Sequence, residues 1–257
     1  MKKAFVIAFV FTLGLIFGAY PVLAENSTLD DVHLFQTFFR DSPIATTHYG
    51  EAFLQYDNYS FGTRTFLGLK GGFSIDPKFE IGASAGLINA DPDHGDSKFG
   101  VSDIQVSGRY DITDHMTFMP EKTKLSAGGY LTLPTGKKRT WEDKTDFGAF
   151  CALRHPMDSG LVFTSVLGLD FLDNVNRDGN YSHKTSVLLG GGIIFPVNDQ
   201  LNIVSELNIW TEGDYALLSS GFDYRLETGS RVRGMLWIGL DDGAPDVSLM
   251  VSYLQSF

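Results

Sequence analysis

Ionisable side chains of both signs stand in segments whose alternate residues are apolar: Arg64, Lys70, Glu80, Asp103, Arg109, Asp111, Arg154, Glu206, Asp223, Arg225, Arg231 and Arg233. The chemistry open to such a set is electrostatic. The groups can pair with one another, or they can line a hydrated path and set its preference for ions. Covalent chemistry has weaker support. Ser182 and His183 are adjacent, and neighbours in an extended chain point to opposite faces, so they form no oriented nucleophile and base. Ser159 is near His155 but falls on the short-turn, periplasmic side, away from the outer leaflet where a lipid-acting pair would be needed. The expectation is therefore a protein that is not an enzyme and has no catalytic residues.

Metal and cofactor patterns are equally thin. Histidines 33, 48, 94, 115, 155 and 183 are scattered without ligand spacing. Asn174-x-Asn176-x-Asp178-Gly179 opens like a calcium loop, but Asp is due at its first position and Glu where Thr185 stands; a loop tip rich in turn residues accounts for it. Asp91, Asp93 and Asp96 make an acidic loop, either a solvated face or a place for an ion bridging to lipopolysaccharide. No metal and no cofactor are expected.

The elements that must position these charges have a period of two. Ile104, Val106, Gly108, Tyr110 and Ile112 alternate with Asp103, Gln105, Ser107, Arg109 and Asp111. Strands send alternate side chains to opposite faces, so each segment has an apolar and a polar face. Such segments fall near 50–59, 63–75, 78–90, 101–112, 122–134, 144–155, 160–172, 184–196, 200–211, 215–226, 230–241 and 246–257. Their number is even, and each is long enough to cross a bilayer at a tilt. Connections are mostly short on one side (Asp76-Pro77, Thr228-Gly229) and often longer on the other (91–100, 134–145, 173–183). The fold class implied is all-β: a transmembrane antiparallel up-and-down β-barrel of about 12 strands. A soluble sandwich is the competing reading, but sandwich strands run to roughly 5–6 residues.

A midplane Arg or Lys facing hydrocarbon costs about 2–4 kcal/mol, so the charged register is assigned to the lumen. Phe66, Phe150, Leu188, Ile194, Met235 and Trp237 share that inward register, as packing near the barrel ends or as an apolar path. Tyr110, Phe171, Phe195, Phe222, Tyr224, Tyr253 and Phe257 suit interfacial girdles. Cys151 falls on the apolar face. Eight strands leave little interior room and sixteen leave a channel; twelve lies between, so the lumen is either a hydrated channel or an internally paired plug.

The first residues differ from the rest. Lys2 and Lys3, the apolar run Ala4–Tyr20 and Val22-Leu23-Ala24 have the order of a cleaved secretory signal, residues 1–24; an uncleaved anchor is the alternative. Removing those residues, with two lysines and no acid, takes the net charge from −11 to −13, a poor balance for nucleic acid. Residues 25–45 read as a periplasmic leader in which 30–40 has helical spacing, as a short plug or a mobile stretch. Residues 46–257 read as the barrel. Leu249, Val251, Tyr253 and the terminal Phe257 share a face, resembling the mark by which assembly machinery recognises outer-membrane barrels; Gln255 departs from it. Expected partners are the lipid bilayer with its lipopolysaccharide, that machinery, and a small-molecule solute; the expected place is the bacterial outer membrane.

Within 101–145 the runs VSDIQVSGRYDIT and LSAGGYLTLPTGKKR resemble the outer-membrane family named for the phenol-degradation meta-pathway (MetA-like). The matching positions are Asp103, Gly108, Arg109, Tyr110, Leu133, Pro134, Thr135 and Gly136. The resemblance implies a barrel transporter for passive uptake of small hydrophobic or aromatic molecules, and brings no catalytic or binding residues with it. A closed structural or adhesive barrel acting through its loops remains an alternative, as does an outer-membrane lipid-modifying enzyme.

Overall fold

The computed structural model describes residues 29–116, 119–136, 145–175 and 181–257. The expected signal, 1–24, and residues 176–180 of the calcium-like loop lie outside the described residues. The strands are β1 (Tyr49–Tyr59), β2 (Gly62–Asp76), β3 (Phe79–Pro92), β4 (Lys98–Val101), β5 (Ile104–Asp111), β6 (Lys124–Leu133), β7 (Phe147–Pro156), β8 (Val162–Val175), β9 (Tyr181–Pro196), β10 (Leu201–Trp210), β11 (Tyr215–Arg225), β12 (Arg231–Gly239) and β13 (Val247–Ser256).

Apart from β4 and β5, which both pair with β3, each strand pairs antiparallel with its neighbour in sequence, and β1 pairs also with β13, from Tyr49↔Ser256 to Asn58↔Val247. The sheet is thereby closed, and a closed barrel leaves no open edge. Thirteen strands make a barrel of twelve because β4 and β5 share one place in the wall. β4 pairs with Leu87–Ala90 of β3, and β5 pairs with Phe79–Ser84. The expected strand over 101–112 is thus longer and interrupted at Ser102–Asp103. Side chains replace the ladder at the gap: Gly86 N donates to Ser102 Oγ (2.9 Å), and Ile104 N donates to Thr135 Oγ1 (3.0 Å). Asp103 Oδ1 accepts from Gly136 N at 2.6 Å. The two runs that carry the MetA-like resemblance therefore close one breach in the wall together.

The two faces separate as the period of two requires. In β13, Val247, Leu249, Val251 and Tyr253 are exposed while Ser248, Met250, Ser252 and Leu254 are buried. Leu67, Leu69, Phe73, Leu167, Leu189 and Val251 all leave more than half their surface exposed on the outside. That face suits hydrocarbon and is wrong for water. Among the described residues no helix is long and apolar enough to cross a membrane; the crossing is by strands. Cys151 is exposed on the same outer face. Phe257 lies outside too, its N–H donating to His48 O at 2.8 Å.

One end of the barrel has short turns, such as 77–78 and 226–230, with 112–123 as the longer exception; it holds a 3-10 turn at Thr113–His115. The first is the turn end; the other, the loop end, holds 93–97, 134–136, 145–146, 211–214 and 240–246.

Candidate functional site

The inner wall alone would leave buried charges facing empty space. Instead the chain's own N-terminal segment, residues 29–45, lies among them. Leu29, Val32, Leu34, Phe35, Phe38, Phe39 and Ala45 are buried. The segment hydrogen-bonds to β3, β5, β7, β8 and β10–β12, which only a chain inside the barrel can reach at once. It forms turns, not the short helix that is one of two readings of the spacing over 30–40: Val32 N donates to Leu29 O (3.1 Å) and Arg40 N to Thr37 O (2.8 Å). The reason is that wall side chains take the backbone groups a helix would pair internally.

Three wall arginines do this. Arg154 donates to Leu29 O and Val32 O, both at 2.9 Å, and to the Asp41 carboxylate. Arg233 donates to His33 O and holds Glu51 at 2.9 Å, with Asp223 Oδ2 3.0 Å from its Nε. Arg109 donates to Asp41 O (3.1 Å) and to both Glu80 oxygens (2.7 and 2.8 Å). Opposite them Glu206 accepts from the amides of Phe35 (2.7 Å) and Gln36 (3.2 Å). Glu80 also accepts from Ala45 N (3.0 Å) and from Tyr49 Oη (2.7 Å). Such charge-assisted bonds are worth about 1.5–3 kcal/mol each against an unmade partner.

Aromatic contacts fill the rest. The Arg233 guanidinium lies 4.0 Å from the Phe35 ring centroid, and Lys70 Nζ 3.9 Å from that of Phe38. Phe39 presses on the wall where β3 has Gly82: a Cβ there would come within 2.5 Å of the ring, so only glycine allows that approach. His33 sits 4.3 Å from the Tyr49 ring, centroid to centroid. Burial, then the guanidinium charges of Arg109, Arg233 and Arg154, push its imidazole well below the ordinary histidine range, so it is neutral.

Of the charges expected in the lumen, Glu80, Arg109, Arg154, Glu206, Asp223, Arg231 and Arg233 are buried on the inner face, and the Lys70 side chain is 8% exposed. Arg64 is half-buried and reaches Asp57 at 2.7 Å. Asp103 closes the wall breach, and Asp111 accepts from Thr113 N at 2.8 Å in the turn after β5. Arg225 is half-buried at the turn end of β11. Phe150, Leu188, Ile194, Met235 and Trp237 are buried as the inward register requires. Ile194, Met235 and Trp237 belong to the core built around Leu29, Val32, Leu34 and Phe35, so they pack on the segment.

Sequence reasoning missed the segment's side of the site: Asp41 on Arg154, Gln36 on Ser219 (2.5 Å) and on Asn208 (3.0 Å), and Arg40 on Asp170 (3.0 Å). The signal was the aromatic density of His33–Phe39, too high for a solvated leader.

At the loop end the described residues surround free space. A cavity of about 480 Å³ is floored by Phe35 and Gln36 and walled by Trp210, Tyr215 and Trp237. A second, of about 240 Å³, shares Phe35, Trp210 and Trp237 with it and runs down beside the segment to Ser84 and Ser107.

A closed twelve-place barrel with an apolar exterior and a charged, occupied interior is an outer-membrane β-barrel, and its place is the bacterial outer membrane. Comparison with solved structures agrees on the fold. The COG4313 outer membrane channel from Pseudomonas putida F1 aligns with a TM-score of 0.66 and 13% identity, over 88% of this chain and 100% of that one. NanC porin aligns at 0.56 and 12%, over 81% and 98%; KdgM porin aligns at 0.54 and 11%, over 80% and 99%. No family model and no curated protein matches the chain, the MetA-like family included.

Proposed function

We propose that the barrel is a passive outer-membrane channel for small solutes of apolar or aromatic body, with residues 29–45 as the restriction in its lumen. One observation carries this reading: the segment is held across the lumen, yet two cavities that share aromatic lining residues remain beside it and above it. A solute that reaches the cavity at the loop end meets Trp210, Tyr215 and Trp237 on its wall. The channels and porins of like fold support the same role. On this reading the turn end faces the periplasm, loop residues meet lipopolysaccharide, and the terminal Phe257 is read by assembly machinery.

The test is release from liposomes holding the refolded chain, residues 25–257. Uncharged aromatic solutes should equilibrate faster than through protein-free liposomes, and faster than charged solutes of equal size. Equal rates with and without protein would overturn the proposal. A second reading, a sealed structural barrel, is favoured by the pairing of luminal charge. Lys70, Arg109, Arg154, Arg231 and Arg233 each meet a carboxylate. It predicts no permeation by any solute.

A further inference from the structure

The loop-end cavity is built unevenly. Its charged groups are matched: Arg64 holds Asp57 at 2.7 Å, Arg40 holds Asp170 at 3.0 Å, and Trp210 Nε1 donates to the same Asp170 oxygen at 3.2 Å. Lys184 holds Glu212 at 2.8 Å on its rim. Three polar atoms in the wall are not matched: Asp170 Oδ1, Trp237 Nε1 and Ser248 Oγ have no hydrogen-bond partner among the described residues, and of these only the last two stand on neighbouring strands beside the aromatic wall. Trp237 is 5% exposed and Ser248 1%, so bulk water does not satisfy them. They are direct cross-strand partners on β12 and β13, and both line this cavity. An indole N–H left buried without an acceptor is a costly and uncommon arrangement.

We infer that Trp237 and Ser248 form the polar half of a solute-binding site at the loop end. The ligand class follows from the wall. The matched ion pairs offer an ionic ligand no free counter-charge. Phe35, Trp210, Tyr215 and Leu217 offer flat apolar surface, and the indole N–H asks for an acceptor. The occupant is an uncharged ring compound bearing one hydroxyl or carbonyl oxygen, its ring on the aromatic wall and its oxygen accepting from Trp237 Nε1. Ser248 Oγ then donates to or accepts from the same oxygen. This deepens the channel reading by naming a station on the path, and it rests on that reading only for its role in transport.

The test is binding in solution, which needs no flux. The refolded chain in detergent micelles, labelled at indole nitrogen, is titrated with benzyl alcohol, toluene, benzoate and methyl glucoside. The Trp237 resonance is identified by its loss in Trp237→Phe. Benzyl alcohol should shift that indole proton downfield and saturate, while toluene should leave it in place. Trp237→Phe and Ser248→Ala should each weaken benzyl alcohol binding about three- to tenfold, the value of one neutral hydrogen bond, with toluene unaffected. Equal response to toluene, stronger binding of benzoate or the glucoside, or unchanged affinity in both variants would overturn the inference. Saturable binding with no liposome release would leave the site standing and remove the channel; release without binding would do the reverse.

Discussion

Arg233 of β12 donates a hydrogen bond to the backbone carbonyl of His33, 200 residues earlier in the chain. The link joins the barrel wall to the segment it encloses, and the same guanidinium is fully buried between Glu51 and Asp223. A buried guanidinium is tolerable only when its donors are met. Here Glu51 accepts from Nη1 and the backbone of the segment from Nη2, while Nε is matched only by the charge of Asp223, 3.0 Å away.

Arg233→Ala should therefore loosen the segment as well as the wall. It strands Glu51 and Asp223 in the interior, and breaking a buried pair costs about 3–5 kcal/mol. The expected outcome is a barrel that still folds but releases residues 29–45 to protease. Arg154→Ala should act alike through Leu29, Val32 and Asp41. A wild-type cleavage rate in both variants would show that the arginines do not hold the segment.

Asp103→Ala tests the wall breach. The Gly136 amide loses a charge-assisted partner worth about 1.5–3 kcal/mol, and the loop after β6 loses its tie to the gap between β4 and β5. Hydrogen exchange should quicken at Gly136 and Ile104 and stay unchanged at β10 and β11. Protection unchanged at all of these sites would mean that the Asp103 carboxylate is dispensable.

Acid should weaken the seating of the segment through His33. Held neutral inside, its imidazole has a depressed pKa, while a released segment titrates near the ordinary value of about 6.5. Below that pH the released form binds a proton that the seated form does not. Seating strength is thus full above about pH 6.5 and falls as pH is lowered through it. Protease sensitivity of residues 29–45 should rise between pH 7.5 and 5.5, and His33→Gln should flatten that rise. Parallel profiles would assign the effect to other groups.

The strand set was legible because a wall between lipid and a filled interior imposes a strict period of two. Val247–Leu254 shows it residue by residue. The interruption at Ser102–Asp103 was not, because a gap bridged by Ser102, Thr135 and Asp103 leaves the apolar alternation intact. The inward charges were legible for the same reason as the strands. Their partners were not, since Glu206 meeting the amides of Phe35 and Gln36 is a contact across 170 residues or more that no local pattern encodes. The helical spacing over 30–40 does not become a helix, because spacing reports which side chains are apolar, whereas the wall arginines compete for the carbonyls that a helix needs.

Single-channel conductance of residues 25–257, set against residues 46–257 and with folding of both checked by heat-modifiable mobility, decides whether the N-terminal segment restricts the lumen. The intact chain should show small steps or none, and the shortened chain should show larger, frequent steps as the lumen opens. Equal conductance in the two, or silence in both, would contradict the claim that the N-terminal segment is the restriction in an outer-membrane channel.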